Sequence, residues 1–372
     1  MTASFTQILA APDRPDIELV ITPVTPYFIC DHYFATEIHT ASPRFIGLQL
    51  QLEANDLLRN KNYSAINDLD IVQVQVDHLD FFCQFVLPLI AKRDIRIVVI
   101  TSQWNLPQVN PDWPLRHICD RTAVGHLIRR KRLNIQQIFR YTPGEAHSLA
   151  SMYALTGMLL QELPRLHNRR AGMMLDHPNV ALWISQNPIY FRHPKYLPFP
   201  FGIRHTNLDR YMRFARANHA TAKTCRMANL YATVHSHLAA GHVRATHPIF
   251  GVNSGLCMQY EDFLEKIAAA EFVVSTPGDR ADCYRHYECI GLNAIPVSTI
   301  GREYEAIFGE DMLRMHADQL EQMLLNDASG FVYHSPNRDI LAVDFWRNTI
   351  RSRLCNQRER LAGEVTFSPF LE

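Results

Sequence analysis

Asp282, Arg285 and Glu288 stand three residues apart, and their types define the chemistry this sequence offers. On a helix that spacing gathers them within about a third of the circumference. Asp282 reads as the N-cap, and Tyr284, Tyr287, Ile290 and Gly291 then form one packing face. A helix N-terminus attracts phosphate through its unpaired N–H groups and its dipole. Arg285 adds a bidentate donor for the same anion. Glu288 lies one turn deeper, placed to accept a sugar diol. Just upstream, Ser275 leads into the turn signal Thr276-Pro277-Gly278-Asp279, whose backbone approaches the same anion. The set suits a nucleotide diphosphate. An ordinary βαβ unit with a surface Arg–Glu pair is the plainer alternative.

The elements that must position these groups are written around them. Phe272-Val273-Val274 is a short buried strand, and Ile295-Pro296-Val297 returns to the same sheet. Tyr260 to Ala270 is an amphipathic helix feeding the first of these strands. Earlier in the chain, Ile17 to Thr22 reads as a strand, and 46–58 reads as a helix. Asp70 to Val76 alternates apolar and polar, the run from Phe81 to Ala91 is helical, and Ile95 to Ile100 is a strand ending at Thr101-Ser102-Gln103. That order is the grammar of a parallel sheet with crossovers. Residues 115–132 and 146–162 show helical patterns, and the cluster Arg129-Arg130-Lys131-Arg132 reads as a solvated face, because no aromatic residues interleave it.

Ala181 to Ile184 is a buried strand with Asn187 just past its end. Tyr196 to Ile203 is another, and its two prolines suit a sheet edge. A polar helical stretch runs to about Thr224, and Asn229 to Val234 opens a second series of strands. Beyond Ser298 come a helix near 302–308, a short strand from Met312 to His316, a helix from Asp318 to Leu325 and a long terminal helix from about Asp339 to Ala362. The domain boundaries implied are 1–203, 204–340 and 341–372.

Composition bounds the function classes. The chain has 372 residues, 47% hydrophobic and 20% charged, which describes a folded globular protein of two domains. Lys+Arg and Asp+Glu cancel at 37 each, so no global field draws in nucleic acid or an anionic membrane. The 18 histidines are scattered, with no His-Glu-x-x-His pair for zinc. The eight cysteines contain no C-x-x-C and several sit in apolar runs, as free thiols do in a reducing compartment. No apolar stretch approaches the roughly 18 residues a membrane span needs. The first residues lack a basic n-region, and their apolar part breaks at Pro12-Asp13, so a cytoplasmic location is expected.

The central stretch resembles the C-terminal signature of the exostosin-like glycosyltransferases, a Ser-Pro-x-Gly-x-x-x-Asp-x-x-Arg-x-Trp-Glu run closed by a Gly-x-Ile-Pro strand. Ser275, Gly278, Asp282, Arg285, Glu288, Ile295 and Pro296 fit in register, and Pro277 stands one position after the family's proline. Tyr287 stands in place of the Trp. Asn293 stands in place of the Gly, and Asn is the residue that next best accepts a left-handed backbone. A second passage is similar to the family's Trp-Phe-x-x-Asn, His-Pro-Lys and Ile-Pro-Ile-Gly segments, here Trp183, Asn187, His193-Pro194-Lys195 and Phe199-Pro200-Phe201-Gly202. The two passages stand in the family's order, roughly 90 residues apart.

The resemblance implies an α/β protein of GT-B architecture: two Rossmann-like domains facing across a cleft, with the C-terminal helix crossing back to the first domain. Ligands of open α/β sheets bind at the carboxyl ends of strands. The donor, a nucleotide sugar and by family habit a UDP sugar, would lie against Ser275, Pro277, Gly278, Asp282, Arg285 and Glu288, with Arg244 as a further phosphate contact. A glycan or glycolipid acceptor would lie against Asn187, Ser102 and Gln103, as in polysaccharide biosynthesis. Asp77 and His78 are the candidates for the base that takes the acceptor proton, a helix cap and a surface histidine being the alternatives. No metal or other cofactor is expected, because Arg285 and the helix start can neutralise the leaving diphosphate. Retaining transferases of this architecture often carry a carboxylate eight positions before the ribose glutamate. Arg280 is there instead, which points to inversion. Two other readings stay open. One is a nucleotide-sugar or glycan-binding protein without catalysis. The other is a metal-dependent transferase using Asp68-Leu69-Asp70, although that motif precedes its strand rather than following it.

Overall fold

The computed structural model describes residues 3–10, 16–34, 56–75, 81–102, 174–186, 193–230, 258–275, 282–298, 300, 304–315, 319–320, 322–323 and 329–365. Within them the chain is mixed α/β with two parallel sheets. The first holds β1 (His32–Phe34), β2 (Ile71–Gln75), β3 (Ile97–Ser102), β4 (Val180–Ser185) and β5 (Tyr196–Pro198), side by side in chain order. The second holds β6 (Cys225–Asn229), β7 (Ala270–Val274), β8 (Ile295–Ser298) and β9 (Leu313–Arg314), again in chain order.

Consecutive apolar residues run through β3 and β4 because both faces of the first sheet are covered, as parallel sheets require. Val98, Ile100, Leu182 and Ile184 face one core. Ile97, Val99, Val180 and Trp183 face another, closed by Phe82, Val86, Leu87 and Ile90 of the helical run after β2. The second sheet divides in the same way: Phe272, Val274, Ile295 and Val297 pack with Leu320 and Met323. Ala270 and Val273 turn instead to the core of Val98 and Ile184, so one apolar interior touches both sheets.

Among the described residues that interior is lined by α1 (Phe5–Ala10), α2 (Leu208–Asn218), α3 (Tyr260–Ala269), α4 (Tyr284–Gly291) and α5 (Val343–Val365), with Ile307 and Phe308 beside them; α3 packs on both α2 and α4. The start of α5 is tied to N-terminal residues. The Ile21 N–H donates to the Leu341 carbonyl at 2.8 Å, and the Ala3 N–H donates to Asp344 Oδ2 at 3.2 Å. Trp346 meets Phe199 edge-on with ring centroids 5.4 Å apart.

Several expected elements are displaced. The strand expected over Ile17 to Thr22 is instead a helix, Asp16–Leu19, followed by a single antiparallel bridge from Val20 to Ala342. Asp16 and Glu18 in its first turn favour the helical choice. The strand expected over Tyr196 to Ile203 stops at Pro198, on the sheet edge that its prolines suit. Beyond it the Phe201 and Ile203 N–H groups bond elsewhere, Ile203 to the Ile21 carbonyl at 2.9 Å. Gly202 there has φ +81, and any Cβ would lie 2.1 Å from the Ile21 oxygen. A strand at Cys225–Asn229, which pairs Met227 with Phe272, ends where the strand from Asn229 to Val234 was expected to begin; residues 231–234 lie outside the described residues. Of the helix expected over 46–58, the part before Asp56 lies outside the described residues. A helix begins where it was expected to end, at Leu57, with Asp56 accepting from the Leu58 and Arg59 N–H groups. The helical patterns at 115–132 and 146–162 also lie outside the described residues.

Candidate functional site

The stretch that offered chemistry folds as strand, loop, helix, strand: β7, α4 and β8. Asn293, after α4, takes φ 61, the left-handed turn that the Gly-to-Asn replacement requires. Ser275 follows β7 and is buried, its N–H on the Val297 carbonyl at 2.8 Å. Its own carbonyl is bonded to His286 Nε2, which also meets Ser298 Oγ at 3.1 Å. His286, which the spacing argument passed over, thus ties the ends of β7 and β8 to α4.

Asp282 does not cap the helix. The N-cap is Cys283, in extended conformation and with no side-chain capping bond. Asp282 is fully buried, and its Oδ2 accepts from Tyr287 Oη at 2.7 Å and from the Phe201 N–H at 3.2 Å. The reason is Tyr287. A buried phenol needs a partner for its hydroxyl, and the carboxylate one turn before supplies it. Burial beside that carboxylate pushes the Tyr287 phenol well above its usual range. Asp282 is therefore a joint between the loop after β5 and the start of α4.

Glu288 is 4% exposed, and Tyr260 Oη of α3 donates to its Oε1 at 2.6 Å. Burial raises its carboxyl from the ordinary 4.5 to about 7, against the opposing pull of the Tyr260 hydroxyl, Arg285 and Arg204. Arg285 is half-buried, with its guanidinium 5.7 Å from the centre of the Phe263 ring, also on α3. Its Nε and Nη1 are buried and have no hydrogen-bond partner among the described residues. Buried N–H donors of a cation are rarely left unpaired. A helix start without a side-chain cap, a cation with donors to spare and a carboxylate held by one oxygen therefore share one end of α4. Such a group can take an anion and hydroxyl donors together.

The other expected residues fall differently. Ser102 closes β3, is 1% exposed and accepts from Gln73 Nε2 at 2.9 Å, so it faces a buried polar contact. Asp77, His78, Gln103, Asn187, Arg244, Pro277 and Gly278 lie outside the described residues. Asp68 and Asp70 sit in the turn before β2 and face different partners. Asp68 Oδ1 accepts from the Arg96 N–H at 2.8 Å, and Asp70 Oδ2 accepts from the Asn67 N–H at 2.7 Å and lies 3.0 Å from His32 Nε2. Tyr260, Phe263 and Arg204 were not singled out in the sequence. The i, i+3 spacing of the two aromatics reads only as the apolar face of a helix. Among the described residues no helix is long and apolar enough to cross a membrane. No family model matches the chain, and no curated protein matches it.

Proposed function

We propose that the chain is a glycosyltransferase of the GT-B kind, moving a sugar from a nucleotide diphosphate donor to a hydroxyl acceptor with inversion and without a metal. One observation carries the reading: Arg285 holds buried N–H donors, unpartnered among the described residues, one helical turn from a buried carboxylate and at a helix start without a side-chain cap. Arg285 would bind the diphosphate and neutralise the charge that develops on it as the glycosidic bond breaks. Glu288, ionised, would accept the ribose hydroxyls and fix the donor. The acceptor would approach from the first sheet, with Asp77 or His78 taking its proton.

The test is binding and turnover together. UDP, GDP, CMP and dTDP are titrated by calorimetry, and release of free sugar from the matching donors is followed with and without EDTA. Binding of one nucleotide, with hydrolysis indifferent to EDTA, is the expected result. Arg285→Ala should weaken that nucleotide at least tenfold while the protein stays folded, since a hydrogen bond to a charged group contributes about 1.5–3 kcal/mol. A folded Arg285→Ala protein with unchanged affinity removes the phosphate role. Binding without turnover makes the chain a nucleotide-sugar-binding protein.

A further inference from the structure

We infer that α3 is the positioning element of this site, Tyr260 setting the orientation and charge state of Glu288 and Phe263 setting the place of Arg285. The inference rests on the donor-site reading for its ligand, but the contacts stand by themselves.

Tyr260 and Phe263 lie three residues apart on α3 and stack at 6.3 Å with their planes 19° apart, so the two rings form one plate. Each ring holds one group of α4. The Tyr260 hydroxyl donates to Glu288 Oε1 at 2.6 Å, and the Phe263 face lies under the Arg285 guanidinium at 5.7 Å. A ring face attracts a cation without consuming its N–H donors, so Arg285 is placed while its Nε and Nη1 stay available. The hydroxyl engages one carboxylate oxygen and leaves the second for a diol. The outer side of the plate is itself braced. Arg210 of α2 lies 5.2 Å from the Tyr260 ring centre and is held there by Glu261.

The charge state of Glu288 is set from several elements. Tyr260 faces it from α3, Tyr211 from α2 and Arg204 from the segment before α2, while Cys283, Arg285 and Cys289 lie along its own helix. Of these, the Tyr260 hydroxyl is the one hydrogen-bond donor to the carboxylate among the described residues. It favours the ionised form that a ribose diol would need.

The experiment compares the full chain with Tyr260→Phe and Phe263→Leu, each checked for folding by circular dichroism. First, without ligand, the Glu288 carboxyl is titrated by NMR on carbon-13 glutamate, assigned with Glu288→Gln. Tyr260→Phe should raise its midpoint by about one pH unit, the loss of one charge-assisted hydrogen bond. Phe263→Leu should raise it by clearly less. Second, UDP affinity is measured from pH 5.5 to 8.5. Tyr260→Phe should bind about fivefold more weakly near neutrality and recover toward the alkaline end. Phe263→Leu should bind about three- to fivefold more weakly at every pH, as a lost cation–π contact does. An unmoved Glu288 midpoint in a folded Tyr260→Phe protein overturns the inference, whatever the chain binds. A moved midpoint with no binding of UDP, GDP, CMP or dTDP upholds the α3 coupling and removes the donor reading instead.

Discussion

Glu288→Gln isolates the energetic consequence of burying a carboxyl in this site. The glutamine keeps the shape, and its amide oxygen can still accept from Tyr260, but it never ionises. In the folded chain the Glu288 carboxyl sits at about 7, raised from 4.5 by burial. The unfolded chain therefore releases this proton from about pH 4.5 upward, whereas the folded chain keeps it until about pH 7. Over that interval the folded state binds more protons, so the stability this group contributes is whole below pH 4.5 and falls as pH rises toward 7. Each pH unit is worth about 1.4 kcal/mol, which makes the full loss roughly 3 kcal/mol. Glu288→Gln should remove that slope. Urea unfolding of both proteins at intervals from pH 4 to 8.5 gives the difference directly. The variant should gain on the parent by roughly 3 kcal/mol across the window and stay level beyond it. A difference constant across the whole range would mean that Glu288 titrates normally, and the account of a buried, desolvated carboxyl would be wrong.

Two further predictions concern the frame around the site. Trp346 is 2% exposed, meets Phe199 and donates Nε1–H to the Ile340 carbonyl at 2.8 Å, so Trp346→Ala should cost about 3–5 kcal/mol in chemical denaturation; a loss under about 1 kcal/mol would show that the ring does not anchor α5. Gly202→Ala combines φ +81 with a Cβ 2.1 Å from the Ile21 oxygen, so it should cost about 2 kcal/mol or more, or shut down soluble expression. A variant as stable as the parent would show that the Ile21 to Ile203 contact yields without cost.

How far the sequence could be read depends on what each residue leans on. β3, β4, β7 and β8 were legible from short apolar runs such as Ile97-Val98-Val99-Ile100, and β2 from its alternation of apolar and polar residues. Asn293 was legible from residue type, since few side chains tolerate its backbone. Asp16–Leu19 was not, because four residues are too few to separate a period of two from one of 3.6. β6, with the sequence Cys-Arg-Met-Ala-Asn, has no β-branched residue and is a strand because β7 offers it a ladder.

The site divides along the same line. That Arg285 and Glu288 share a helix flank follows from spacing. That Asp282 serves Phe201, 81 residues away, and that Glu288 leans on Tyr260 of another helix follow from tertiary packing alone. Tyr287 was expected in the core, but its hydroxyl's need for Asp282 is what removed the cap.

The Phe201 amide hydrogen also has a consequence for recombination. It is shared between Tyr287 Oη at 2.9 Å and Asp282 Oδ2 at 3.2 Å. Short of proline no substitution removes a backbone donor, so the two acceptors, Asp282 just before α4 and Tyr287 on it, are what an exchange would alter. A chimera that joins the first sheet of this chain to the second half of another must carry an acceptor at one of those two places at least. With neither, the Phe201 amide is buried without these partners, and the join is weakened there.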